Sequence, residues 1–168
     1  MRDPKPIEGG RALLFERLTD ESPRSLEEEA RPFRVHEREE LKESVRRELS
    51  RLLNTRCSVP SHLLGSEERT VLDYGIPDFS ALSALSGDDQ NRLASIVAQT
   101  VAAFEPRLRD VRVRVERVRS DDRALVLRVE AALAVGTHAE PVSFPVLVRT
   151  KTGETEVSEN EGHEDEPA

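Results

Sequence analysis

The sequence predicts an α+β fold: two main helices packed on a small, mainly antiparallel three-stranded sheet, with a flexible N-terminal arm and an acidic C-terminal tail. Three observations lead there. Leu41, Val45, Leu49, Leu52 and Leu53 recur at the spacing of one helical face. Leu93, Ile96, Val97, Thr100, Val101 and Phe104 draw a second such stripe. From Val111 to Val148 the apolar period drops to two, the mark of half-buried strands. A chain of 168 residues suits one domain with a real core.

Residues 1–34 read as an arm and linker. They open with Pro4, Pro6, Gly9 and Gly10, hold one apolar cluster (Leu13, Leu14, Phe15 and Leu18), and end in a charged stretch between Pro23 and Pro32. The first helix covers about residues 37–53, and Asn54 ends it because Asn tolerates the left-handed backbone used there. A loop punctuated by Pro60, Gly65, Gly75 and Pro77 follows. Its apolar run from Val71 to Phe79 indicates a segment folded back on the core. Ser80 caps a short helical piece over residues 81–85.

The second helix covers residues 88–104. Ser86 is its N-cap, Asp88 and Asp89 complement the dipole, and Pro106 stops it. Val111, Val113 and Val115 face inward on the first strand. Leu125, Leu127, Val129, Ala131, Leu133 and Val135 do so on the second, and Val142, Phe144, Val146 and Val148 on the third. Pro145 lacks an N–H, which marks the third strand as an edge. The domain is thus expected over residues 35–153, and a disordered acidic tail over 154–168.

The net charge of −8 belongs mostly to that tail. Seven acids and no Lys or Arg lie from Glu154 onward, leaving 26 acids against 25 bases in the body. Cys57 is the sole cysteine, so there is no disulfide framework and no multi-cysteine zinc site. The longest apolar run, Ala131 to Val135, is far short of the ~20 residues a membrane helix needs. Residues 1–10 lack the basic-then-apolar pattern of a signal peptide. A soluble, cytoplasmic protein without membrane insertion is expected.

Motifs for chemistry are sparse. His36-Glu37 opens the zinc-protease pattern H-E-x-x-H, but Glu40 stands where the second His must be. No phosphate-binding glycine loop or nucleophile elbow occurs. No metal, cofactor or catalytic residue is assigned. Arg107, Arg109, Arg112, Arg114, Arg117 and Arg119 form a basic segment without the aromatics that stack on bases, so a solvated or protein-facing strand is expected and not nucleic acid. Glu105, Asp73 and Asp78 are the acids set among apolar residues, and no spacing marks two of them as a glycosidase pair. Glu105 follows the second helix, where a carboxylate meets the negative end of the dipole and needs a cation. Arg107 or Arg109 supplies it internally, or Glu105 and Arg107 point outward and pair with another protein.

Four motifs occur in order: Leu14-Phe15-Glu16-Arg17-Leu18, Leu52-Leu53-Asn54-Thr55-Arg56, Val71-Leu72-Asp73-Tyr74-Gly75-Ile76-Pro77-Asp78, and Phe104-Glu105-Pro106-Arg107-Leu108. Together they resemble the TssE family of type VI secretion baseplate subunits, similar in turn to the wedge protein encoded by gene 25 of contractile-tailed phage. The resemblance runs over about residues 14–150. It implies a structural, non-enzymatic role, joining wedge subunits and nucleating the contractile sheath. The implied partners are the other wedge subunits and the sheath protein, with the chain monomeric alone and multi-copy in a six-fold baseplate.

The resemblance also implies that Glu105, Pro106 and Arg107, with Leu108 behind them, contact the wedge core bundle. It implies that the strand bearing Val142, Phe144, Val146 and Val148 offers its edge to the sheath. The cluster of Leu14, Phe15 and Leu18 either docks on a wedge partner or folds back. The family was once labelled lysozyme-like, so a peptidoglycan-degrading glycosidase is the alternative. The acidic tail and Cys57 depart from the family pattern.

Overall fold

The structure, a computed structural model, describes residues 10–11, 35–36, 38–60, 69–119, 124–136 and 138–158. Strand β1 (Gly10–Arg11) pairs antiparallel with β2 (Val35–His36), and helix α1 (Arg38–Asn54) follows. Its buried residues are Leu41, Ser44, Val45, Leu49, Leu52 and Leu53, the predicted stripe plus one serine. A parallel pair joins β3 (Arg56–Cys57) to β4 (Ile76–Pro77), with a 3-10 turn, Val71–Asp73, between them in sequence. Residues 81–85, expected as a short helix, form turns closed by Leu82 N–H to Phe79 C=O and Ser86 N–H to Ser83 C=O. Helix α2 (Gly87–Phe104) begins at the predicted cap, where the Ser86 hydroxyl accepts from Asp89 N–H.

The sheet has four strands, which corrects the expectation of three. Its order is β5 (Leu108–Arg119), β6 (Ala124–Val135), β7 (His138–Arg149) and β8 (Thr155–Val157), each antiparallel to the next. The fourth strand arises in the stretch whose acidity suggested a tail. Only Thr155 and Val157 turn inward there, too short an alternation to read as a strand.

What holds β8 comes from far away in sequence. The Asn54 side chain brackets the Thr155 backbone, with Oδ1 accepting its N–H at 2.9 Å and Nδ2 donating to its C=O at 2.7 Å. Arg46 donates to Val157 C=O at 3.0 Å. Helix α1 therefore satisfies three outward backbone groups of the last strand.

Strand β7 is consequently an edge only in part. Residues 146–148 pair with β8, and Ser158 N–H donates to Pro145 C=O at 3.0 Å. Ahead of that, residues 138–144 have no strand on the side away from β6 among the described residues. Pro141 shares the alternation of Pro145, so both missing N–H groups face away from β6, where no ladder bond is lost.

Among the described residues, strand β5 has a neighbour on one side only. It carries two register shifts, one after Arg109 and one between Val115 and Arg117. Asp110 sits at the first with φ 53°, a conformation Asp tolerates better than most residues. Both helices cover one face of the sheet, and the core of Leu41, Val97, Leu127, Val129, Phe144 and Val146 lies between. The opposite face has no second layer among the described residues.

Candidate partner-binding site

The segment after α2 is a buried electrostatic joint. Glu105 is the C-cap, its N–H bonded to Val101 C=O, and it is 1% exposed. Its carboxylate accepts three N–H bonds from Arg107: from the backbone at 3.1 Å, from Nε at 2.8 Å and from Nη2 at 2.6 Å. Nη1 of the same guanidinium donates to the Ser44 hydroxyl of α1 at 2.7 Å. Arg107 C=O accepts from Ala134 N–H, seating the turn on β6. Pro106 is exposed between the two charges, and Leu108 enters the core. Of the two readings of this pair, the structure has the internal one: Glu105 and Arg107 bond to each other. Two parallel N–H bonds from a planar fork give a carboxylate-specific geometry that Lys cannot copy.

The other motifs form similar joints. Arg56 lies over the Phe79 ring, with its guanidinium carbon 4.7 Å from the centroid, and donates to Leu53 C=O and Gly153 C=O. Burial lowers the pKa of Arg56, against the opposing pull of Asp78. Ile76 N–H donates to Thr55 C=O at 2.9 Å. Gly75 passes so near that a Cβ would stand 2.5 Å from that Thr55 oxygen, and its φ of +114° suits glycine alone. Tyr74 donates to Glu48 at 3.0 Å and meets the Phe104 ring edge-on at 5.3 Å. Burial first, then Glu48, pushes the Tyr74 pKa up to about 12. Arg69 covers the other part of Phe104 and donates to Thr100 and to the carbonyls of Asp73 and Gly75.

The acids considered for catalysis are engaged locally. Glu105 is held by Arg107. Asp73 accepts from Thr70 in a capping box, whose backbone bond is the first cause of its lowered pKa. Asp78 accepts from Ser80 N–H, which likewise lowers its pKa.

The predicted site residues do not converge. Phe144, Val146 and Val148 direct their side chains into the core, while Val142 is half-buried on the uncovered run of β7. Leu14, Phe15 and Leu18 lie outside the described residues. Sequence reasoning missed Ser44, whose signal was a polar residue at an inward position of an otherwise apolar stripe. It also missed two adjacent exposed aliphatics, Val71 at 83% and Leu72 at 86%, on the capped 3-10 turn.

The unlayered sheet face carries arginines. Arg114 pairs with Glu130, Arg128 with Glu116, and Arg149 with Glu156 at 3.6 Å. The contacts with Glu116 raise the pKa of Arg128. Arg112, Arg117 and Arg119 are exposed and have no acidic partner among the described residues. No helix among the described residues is long and apolar enough to cross a membrane, and those residues hold no cluster suited to a metal.

No curated protein matches the chain. One chain of a solved structure, the baseplate complex from the type VI secretion system, is similar at 20% identity and a TM-score of 0.46, covering 66% of this chain and 95% of that one. The family described as baseplate wedge protein gp25 matches residues 39–138, which run from α1 into β7 and include three of the four sequence motifs. The chain therefore belongs to the gp25 baseplate wedge protein family.

Proposed function

We propose that this chain is the wedge subunit of a type VI secretion baseplate, acting in the cytoplasm by assembly and not by catalysis, and that it joins other wedge subunits to the first ring of the contractile sheath. Its family membership over residues 39–138 carries the reading. The Glu105–Arg107 joint supports a particular form of the contact. With the carboxylate buried and the guanidinium side chain 12% exposed, the surface offered to a wedge partner is Pro106 and the rim of Arg107, with Glu105 fixing both from behind. For the sheath, main-chain addition is proposed along the uncovered run of β7 around Val142, ahead of β8. That run offers outward donors at Ala139 and Ser143 but none at Pro141.

The test is co-purification from the native host, with sheath assembly followed by fluorescence. Wild type should bring down wedge and sheath proteins. Pro106→Lys should lose the wedge proteins, and Ala139→Pro the sheath, with circular dichroism unchanged in both. A wild-type chain that recovers neither class would overturn the proposal.

A further inference from the structure

Val71 and Leu72 are the most exposed large apolar side chains among the described residues, at 83% and 86%. Single exposed aliphatics are ordinary on a protein surface. Here two stand side by side on a turn that is fixed without their help. Thr70 N–H and the Thr70 hydroxyl both donate to the Asp73 carboxylate at 2.9 Å, and the same hydroxyl accepts from Leu72 N–H at 3.3 Å. Asp73 N–H closes the turn on Thr70 C=O at 3.0 Å. Beneath it, Arg69 Nη2 donates to Asp73 C=O at 2.9 Å and to Gly75 C=O at 2.8 Å, while Nη1 reaches the Thr100 hydroxyl of α2 at 3.2 Å. A turn closed by these bonds has no structural need of two aliphatic side chains in water. It holds them in a set geometry, so little ordering is left to be done when a partner covers them.

The pair also lies beside the turn after α2. Tyr74, the residue following the 3-10 turn, meets the Phe104 ring edge-on, and Arg69 covers the same ring. Phe104 is the last residue of α2, and Glu105 and the exposed Pro106 come next. Val71, Leu72 and Pro106 therefore stand at one end of one helix. A second copy of this chain is a poor occupant. Among the described residues, one cleft is lined in part by Ser80, Ser83 and Lys151, and another by Arg38, Lys42 and Glu140. Neither is an apolar socket.

We propose that Val71 and Leu72 form a preformed apolar plug that seats in an apolar socket of the same wedge partner that meets Pro106 and the rim of Arg107. Resting on the wedge role, the plug makes that contact two-part: apolar at the 3-10 turn and charged at Arg107.

The test is co-purification of the tagged full chain with wedge proteins from the native host, read by quantitative mass spectrometry, with a thermal melt on each variant. Val71→Thr with Leu72→Gln should lower the recovery of wedge proteins at least about tenfold, since it removes the apolar burial of both side chains. Its Tm should stay within about 3 °C of wild type, as for other exposed substitutions. Val71→Ile with Leu72→Met keeps the plug apolar and should keep the recovery.

If the polar variant recovers wedge proteins as wild type does, the plug is refuted, and the Pro106 contact stands or falls by its own variant. If wild type recovers no wedge protein, the wedge role fails and the plug fails with it. A fall in Tm of more than about 3 °C in the polar variant would assign the pair to the chain's own packing and overturn the proposal as well.

Discussion

Removing the Glu105 carboxylate should cost more than any surface charge on this protein. The group is 1% exposed and receives three N–H bonds, all from Arg107. In Glu105→Ala the guanidinium keeps Ser44 and loses its counter-charge within a mostly dry site. Breaking a buried pair by removing one partner costs about 3–5 kcal/mol. The arginine side chain is 12% exposed and can recruit some water, so the lower end applies, about 3 kcal/mol. For a chain of this size that is a fall of roughly 6–12 °C in Tm. It is a large share of a typical stability of about 5–15 kcal/mol.

Urea unfolding measures it directly: the midpoint should fall with the slope unchanged. Arg107→Ala should cost at least as much, because it strands the more deeply buried partner. The double variant should fall short of the sum by about 1.5 kcal/mol or more. If Glu105→Ala unfolds within about 0.5 kcal/mol of wild type, the pair does not hold the α2–β5 turn to α1.

Three further outcomes are expected. Gly75→Ala should destabilise by at least about 2 kcal/mol, since it combines a left-handed φ with a Cβ against the Thr55 carbonyl; a thermal melt reads it, and an unchanged Tm would refute the close approach. Asn54→Ala should cost about 1–3 kcal/mol by orphaning both Thr155 backbone groups, and should speed hydrogen exchange at the Thr155 amide more than at Val129. Tyr74 is the only tyrosine, so its ultraviolet titration is unambiguous: the midpoint should stand near 12 in the native chain and about 10 in denaturant. Because the folded state holds that proton more tightly, its contribution to stability should be complete below the unfolded value and decline as pH rises from about 10 toward 12. Glu48→Gln should narrow that window.

Both helices, the three long strands and nearly all of the core were legible because each repeats an apolar period over many residues. The short elements were not. β8 has two inward residues and owes its place to Asn54 and Arg46, about a hundred positions earlier in the chain. No local window contains that relation. The motifs were visible as letters, but their use was hidden. Asn54 read as a helix stop, and it does end α1, but it also brackets a strand. Gly75 read as loop punctuation and is a forced close approach. Glu105 and Arg107 were ambiguous because a buried ion pair and an interface pair have the same spacing, and only the depth of the carboxylate separates them. Pro145 read as the mark of an edge strand, but β8 pairs with residues 146–148 and Ser158 N–H bonds to the Pro145 carbonyl, so β7 is an edge only ahead of that point.

The unequal sides of the sheet bear on how copies of this chain meet. An open stack of identical sheets needs an acceptor edge on each side of every copy. Here α1 covers β8, and Pro141 removes a donor from the exposed run of β7. Only β5 runs unpaired along its whole length among the described residues. Two copies meeting there can close on each other as a symmetric pair, but a third finds no comparable seat. Such a sheet is a terminus: it can begin or end a series of strands supplied by other molecules, and it resists becoming a fibre of itself.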